Sequence, residues 1–173
     1  MPECYADTLM IQTLVPPKIK YNHKHSCSQV EKEMVKGKLK DKFAVGIIDK
    51  DKKSIKYLNE FKEIDRVQDS LILWRHKSND KHHFIIQIQP ALEKWILSIC
   101  ATENIIIEGM PIEIEELKKY TKKQSSLDNE ILKVVFLMMS EKNENKSIKK
   151  LKGWIKILKE KNYKADINEL INV

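Results

Sequence analysis

One apolar segment near the middle of the chain limits the fold more than any other feature. Residues Phe43 to Ile48 are apolar or glycine, and the run stops at Asp49 and Asp51. A short apolar run of this kind is typical of a buried strand in an α/β sheet. The two aspartates would therefore lie at the carboxyl end of a strand, where open α/β sheets bind their ligands.

The spacing of the two aspartates has two interpretations. Residues two apart on an extended chain point to the same side, so Asp49 and Asp51 would present two carboxylates together. Carboxylate oxygens are the ligands that Mg²⁺ and Mn²⁺ prefer. The sequence Asp-Lys-Asp-Lys is also typical of a polar turn that follows a strand. The sequence alone leaves both interpretations open.

The first hundred residues alternate between helical and extended patterns. An apolar helix or strand is expected at 9–15, and a helix capped by Ser26 or Ser28 is expected to continue to about residue 39. After the strand at 43–48, the spacing of apolar residues predicts a helix at 54–64. Strands are expected at 71–74 and 83–88, joined by a hairpin turn, and Pro90 is expected in the first turn of a further helix. This order indicates an α/β fold.

The pattern becomes wholly helical after about residue 103. Helices are predicted near 112–120, 127–139 and 148–161, and the last carries an apolar stripe at helical spacing, formed by Leu151, Trp154, Ile155 and Leu158. We therefore predict an α/β core over residues 1–102 and a helical C-terminal extension over residues 103–173 that packs on the core.

The charge of the chain favours a polyanionic partner without requiring one. The formal net charge is +7, and the segment from Lys18 to Lys42 holds eight lysines against three acidic residues. Such a segment would attract nucleic acid. Lysine is also the default surface cation throughout this chain, since arginine occurs only at Arg66 and Arg75. Both explanations stay open.

The bulk sequence indicates a cytoplasmic protein with one main domain. The chain has 173 residues, of which 42% are hydrophobic, enough for a sizeable core. It contains no apolar run of membrane-spanning length, and its first residues lack the pattern of a signal peptide. Cys4, Cys27 and Cys100 are scattered, which argues against a disulfide framework and for a reducing compartment.

Three short motifs together resemble the Toprim (topoisomerase–primase) domain of the OLD-family nucleases and the RloB-like proteins. The first is a glutamate followed four residues later by an aspartate, Glu3 and Asp7. The second is the Asp-x-Asp pair that closes the strand. The third is a proline, a glutamate and an aromatic that open a later helix, here Pro90, Glu93 and Trp95.

The resemblance implies a Toprim-like sheet flanked by helices and a Mg²⁺-dependent (or Mn²⁺-dependent) nuclease or phosphoryl-transfer protein acting on nucleic acid in phage defence. It implies that Glu3, Asp49 and Asp51 hold the metal and that Glu93 completes the catalytic set. A separate ATPase subunit is an expected partner, because OLD-type domains often work with an ATPase and this chain has no phosphate-binding loop motif.

Basic residues on three loops are expected to contact nucleic acid beside this site. The expected contacts are His23, Lys24 and His25 in the loop before the second helix, Lys52 and Lys53 after the aspartate pair, and Lys77 in the hairpin. A zinc site that uses His23, His25 and Cys27 is a less favoured alternative, since no fourth ligand is nearby.

The sequence leaves other functions and roles open. The family usually has glycine where this chain has Cys4, so a catalytically degenerate Toprim-fold protein that binds nucleic acid or another protein is the main alternative. Asp7 is expected to cap the first helix, and Glu93 is also an ordinary first-turn helix residue. A phosphatase of the haloacid-dehalogenase type is disfavoured. That family carries its Asp-x-Asp pair on the first strand, whereas the strand that ends in Asp49 is expected to be internal.

Overall fold

The computed structural model describes residues 1–17, 21–50 and 55–173. Over these residues the fold is mixed α/β, with seven α-helices and one four-stranded sheet. The elements are α1 (Tyr5–Leu14), α2 (Cys27–Val35), β1 (Ala44–Asp49), β2 (Phe61–Val67), β3 (Leu71–His76), β4 (His83–Ile88), α3 (Leu92–Thr102), α4 (Ile114–Thr121), α5 (Glu130–Glu141), α6 (Lys146–Lys161) and α7 (Ile167–Ile171). Short 3₁₀ helices cover Lys56–Glu60, Gln124–Asp128 and Asn162–Lys164.

The sheet has the strand order β1-β4-β3-β2. Strands β2, β3 and β4 form an antiparallel meander, whereas β1 lies parallel to β4. Every residue of β4 is buried, which explains why its sequence is nearly continuously apolar. The strands predicted at 43–48, 71–74 and 83–88 and the hairpin turn between the last two are confirmed.

Helices cover both faces of the sheet. Ile47 and Ile86 belong to a large apolar cluster that also contains side chains of α1, α3, α5 and α6. Ile48 and Ile85 point to the other face, where they pack with Val30 and other residues of α2. Because side chains alternate along a strand, Asp49 is on the same face as Ile47 and faces the larger helical layer.

The prediction of a helix at 54–64 is wrong. Residues Lys56–Glu60 form a 3₁₀ turn, and Phe61–Val67 form strand β2, which pairs with β3. The register of this pairing shifts between Glu63 and Asp65, and such a bulge interrupts the two-residue alternation of a strand. The apolar residues Phe61 and Ile64 consequently recur at a spacing of three, which resembles a helix in the sequence.

The C-terminal helices share the main core. The predicted stripe on α6 is confirmed, since Leu151, Trp154, Ile155 and Leu158 are all buried in the same cluster as Ile47 of the sheet. The short helix α7 was not predicted. It is held to α6 by the indole N–H of Trp154, which donates to the carbonyl of Leu170 over 3.0 Å.

Helix α3 begins two residues later than predicted. Its N-cap is Ala91, so Pro90 lies outside the first turn, after a cis Gln89–Pro90 bond. The backbone N–H of Leu92, the first residue of α3, donates to Asp49 Oδ1 over 3.1 Å. This contact fixes the start of α3 at the end of β1. None of the helices in the described part of the chain has the length and apolar character needed to span a bilayer.

Candidate functional site

The N-terminal segment brings Glu3 to the end of strand β1. Pro2 forms a parallel bridge with Ile47, and the backbone N–H of Ile47 donates to the carbonyl of Met1 over 3.0 Å. This segment therefore runs beside the outer edge of β1 in the same direction. Two residues further on, Glu3 Oε2 accepts a hydrogen bond from the backbone N–H of Asp49 over 3.1 Å. Glu3 and Asp49 are thus brought together.

Cys4 and Asp7 form a reciprocal cap at the start of α1. The backbone N–H of Cys4 donates to Asp7 Oδ2 over 3.0 Å, and the backbone N–H of Asp7 donates to Cys4 Sγ over 3.3 Å. The predicted capping role of Asp7 is confirmed, although Cys4 replaces the serine or threonine of an ordinary capping box. Burial raises the pKa of the Cys4 thiol far above its usual range, so the sulfur stays protonated.

Asp7 is more than a cap, because its second oxygen is buried and the charges of Glu3 and Glu93 act on its carboxyl group. Asp7 is 1% exposed, and its Oδ1 has no hydrogen-bond partner within the described residues. Burial raises the pKa of Asp7 to about 7, and the nearby charge of Glu3 also raises it, whereas the hydrogen bonds from Cys4 lower it. A buried carboxylate oxygen without a partner is costly unless a proton or a cation neutralises it.

The pKa of Asp49 is raised further than that of Asp7. Burial, followed by the negative charges of Asp7 and Glu3, raises its pKa to about 9, and the hydrogen bond from Leu92 opposes this shift. Mutual repulsion of carboxylates in a poorly solvated place has this effect, and a bound cation would reverse it.

Glu93 approaches the same cluster from the first turn of α3. Its side chain is 5% exposed, and the Thr121 hydroxyl of α4 donates to Glu93 Oε1 over 2.5 Å. The charge of Glu93 raises the pKa of both Asp7 and Asp49, which indicates its proximity to them. Thr121 was not predicted as a site residue, since its role depends on how α4 packs against α3 and no local pattern indicates this.

The chemistry of the donors fits a hard divalent cation. Four carboxyl groups from α1, β1, α3 and the N-terminal segment share one poorly solvated region, and one buried oxygen has no partner within the described residues. Among those residues, however, no three His, Cys, Asp or Glu side chains form a group that could hold a metal ion. Asp51, the third predicted ligand, lies outside the described residues, as do Lys52 and Lys53.

The predicted histidines lie against the first turn of helix α1. His23 stacks on Tyr5 with the ring centroids 4.1 Å apart, and its Nδ1 lies 2.9 Å from the Thr8 hydroxyl. The exposed His25 ring packs edge-on against both of them. Tyr5 was missed in the sequence, although its position between Glu3 and Asp7 gives a signal that could have found it. Within the described residues, Cys27 does not join these histidines in a metal-binding group.

Two predicted lysines are placed less favourably for nucleic-acid binding. Lys24 forms an ion pair with Glu33 over 3.0 Å, which neutralises much of its charge. Lys77 follows β3, which runs antiparallel to β4 and therefore ends at the opposite end of the sheet from Asp49. Its ammonium group donates to the carbonyl of Asn59 over 2.9 Å. The structure does not bring Lys77 together with the acidic cluster.

Comparison with models of known protein families, with curated proteins and with solved structures finds no match to this chain.

Proposed function

We propose that this protein is a Toprim-like, Mg²⁺-dependent nuclease or phosphoryl-transfer protein that acts on nucleic acid. The observation that carries the proposal is the contact between the Glu3 carboxylate and the backbone N–H of Asp49, 46 residues apart in the sequence, at the carboxyl end of β1, where the charge of Glu3 also raises the pKa of the Asp49 carboxyl. The parallel pairing of β1 with β4 supports it, because ligands of open α/β sheets bind at this end.

Glu3, Asp49 and Asp51 would hold the ion, with Glu93 beside them. When bound, Mg²⁺ (or Mn²⁺) supplies a Lewis acid that polarises a phosphoryl oxygen. The chain's own groups prepare the site. Leu92 orients Asp49 through its backbone N–H, and Thr121 orients Glu93 through its hydroxyl. The high pKa of Asp49 means that the metal-free site holds a proton that the cation would displace.

A catalytically degenerate Toprim-fold binding module is the second candidate. The contacts of Asp49 and Glu93 favour it, since Asp49 Oδ1 and Glu93 Oε1 each already accept a hydrogen bond within the protein. A carboxylate that accepts such a hydrogen bond has a structural role in the fold even if it binds no metal. Such a protein would bind nucleic acid or another protein through the same end of the sheet without cleaving it.

A cleavage assay combined with metal binding separates the two candidates. Plasmid DNA, structured RNA and single-stranded DNA and RNA are incubated with Mg²⁺ or Mn²⁺ and with wild type, the Asp49→Asn/Asp51→Asn double variant or Asp80→Asn, a control in the exposed hairpin turn. We expect metal-dependent cutting by wild type and the control and none by the double variant. Calorimetry with Mg²⁺ should show the same loss of binding.

The negative outcomes are also informative. Absence of both Mg²⁺ binding and cutting would contradict the nuclease and favour the binding module. Mg²⁺ binding that depends on Asp49 and Asp51 but is not accompanied by cutting would favour an enzyme that requires a separate ATPase subunit.

A further inference from the structure

Three aromatic rings form a compact surface that the metal site does not use. Tyr5 and His23 are stacked with an interplanar angle of 22°, and His25 lies 5.6 Å from Tyr5 and 4.9 Å from His23, centroid to centroid. We call these three side chains the ring platform. His25 is exposed, and Tyr5 and His23, which cover one face of each other, are partly exposed, so part of the platform is accessible to a ligand.

The ring platform is built on chain segments adjacent to Glu3 and Asp7. Tyr5 lies two residues after Glu3 and two residues before Asp7 in the sequence. The backbone N–H of Lys24 donates to the carbonyl of Pro2 over 3.0 Å, which ties the histidine loop to the residue that precedes Glu3. A ligand that rests on the rings would consequently lie beside the segment that carries Glu3.

Hydrogen bonds hold the platform in place before any ligand arrives. The Thr8 hydroxyl donates to the carbonyl of Cys4 over 2.8 Å, so it accepts from the Nδ1–H of His23. Tyr5 begins helix α1, whose cap fixes the backbone at this point. Because these rings are already ordered, stacking a further ring on them costs little conformational entropy.

We propose that the ring platform stacks an unpaired nucleobase of single-stranded DNA or RNA and thereby directs the adjoining phosphate toward Glu3 and Asp49. Each nucleobase presents a π-face, and aromatic side chains bind single strands by stacking without strong sequence preference. Base pairs inside a duplex do not expose this face. The ion pair of Lys24 with Glu33 weakens the attraction of this loop for phosphate alone, which favours stacking over simple charge attraction.

This inference deepens the proposed function and names its substrate class as single-stranded nucleic acid. It is tested by binding in the Asp49→Asn background, which prevents the proposed cleavage. Fluorescence anisotropy compares oligothymidylate and oligouridylate with a duplex and with an abasic oligonucleotide of the same length. The abasic strand keeps the phosphate charge and lacks the bases.

The variants are His25→Ala, Tyr5→Ala and Tyr5→Phe, with His82→Ala as the matched control. His82 packs against Tyr163 just before β4, at the other end of the sheet. We expect His25→Ala and Tyr5→Ala to weaken oligothymidylate and oligouridylate binding by about tenfold each and to leave binding of the abasic strand unchanged. Tyr5→Phe and His82→Ala should bind both strands like the parent protein.

Equal affinity for the abasic and the base-containing strands would overturn the proposal, and so would unchanged binding by His25→Ala, which removes an exposed side chain. Preferential binding of oligouridylate or of oligothymidylate would identify RNA or DNA as the favoured strand. Stacking-dependent binding by a wild-type protein that neither binds Mg²⁺ nor cleaves nucleic acid would contradict the proposed nuclease and leave the inference about the ring platform supported.

Discussion

At the scale of single residues, the acidic cluster links stability to pH. The pKa of Asp49 in the folded protein is about 9, far above the usual value of 3.8. A carboxyl group with a raised pKa binds its proton more tightly in the folded state than in the unfolded state. Its contribution to stability is therefore fully present below about pH 4 and is lost as the pH rises through about 9.

Asp49→Asn should abolish this dependence in metal-free protein. Asparagine keeps the shape of the side chain and carries no charge, so the variant should be more stable than wild type at about pH 8. The difference in the free energy of unfolding should grow by up to about 1.4 kcal/mol per pH unit between about pH 4 and pH 9 and then level off. Urea unfolding in the presence of EDTA measures it. Asp80→Asn is the control. If the free energy of unfolding of Asp49→Asn and of wild type changed with pH in the same way, Asp49 would be well solvated.

At the scale of the elements, Gly46 sets the distance between β1 and α2. A Cβ atom at this position would lie 2.9 Å from Val30 Cγ1 and 3.4 Å from Met34 Sδ, both on α2. The small residue thus allows the helix to lie close against the strand that ends in Asp49. Overpacking of a dense core usually costs between about 1 and 3 kcal/mol.

Gly46→Ala should destabilise the protein by that amount, because either α2 or β1 must move to accommodate the new methyl group. Chemical unfolding gives the free energy. The double variant Gly46→Ala/Val30→Ala serves as the test of mechanism, since removal of the Val30 methyl groups frees the space that the added methyl group needs. If the losses in the free energy of unfolding of the two single variants simply added up in the double variant, the destabilisation by Gly46→Ala would not arise from its contact with Val30.

At the scale of the whole molecule, one buried lysine joins the C-terminal helices to the sheet. Lys150 of α6 is 7% exposed, and its ammonium group lies 2.6 Å from Asp65 Oδ2 of β2 and 2.5 Å from the carbonyl of Ile171 in α7. The interaction spans 85 residues in the sequence. Together with the shared apolar cluster, it connects the two segments that the sequence divides at residue 102.

Lys150→Met should destabilise the whole chain by about 3 kcal/mol, because methionine fills much of the space of the lysine stem but leaves Asp65 without its partner. Lys161→Met is the matched control on the same helix. Lys161 pairs with Glu169 of α7 over 2.6 Å in a largely exposed position, so its loss should cost less than about 1 kcal/mol. Equal effects of the two substitutions on urea unfolding would contradict the structural role of Lys150.

The sequence by itself determined the elements whose patterns are local. The apolar run before Asp49, the stripe on α6 and the helix cap at Ser26 each follow from side chains a few residues apart, and the structure confirms them. The strand β2 was missed because a bulge changes its apolar spacing, and the bulge exists only through pairing with β3.

Only the tertiary structure decided how the acidic residues meet. The parallel bridge of Pro2 with Ile47 sets Glu3 beside Asp49, and the packing of α4 sets Thr121 against Glu93. These contacts join residues 46 and 28 positions apart, respectively. Local spacing carries no information about such distances, since they depend on which strands pair and on which faces the helices cover. The sequence identified the acidic residues as candidates, whereas their burial and their mutual repulsion depend on the tertiary structure.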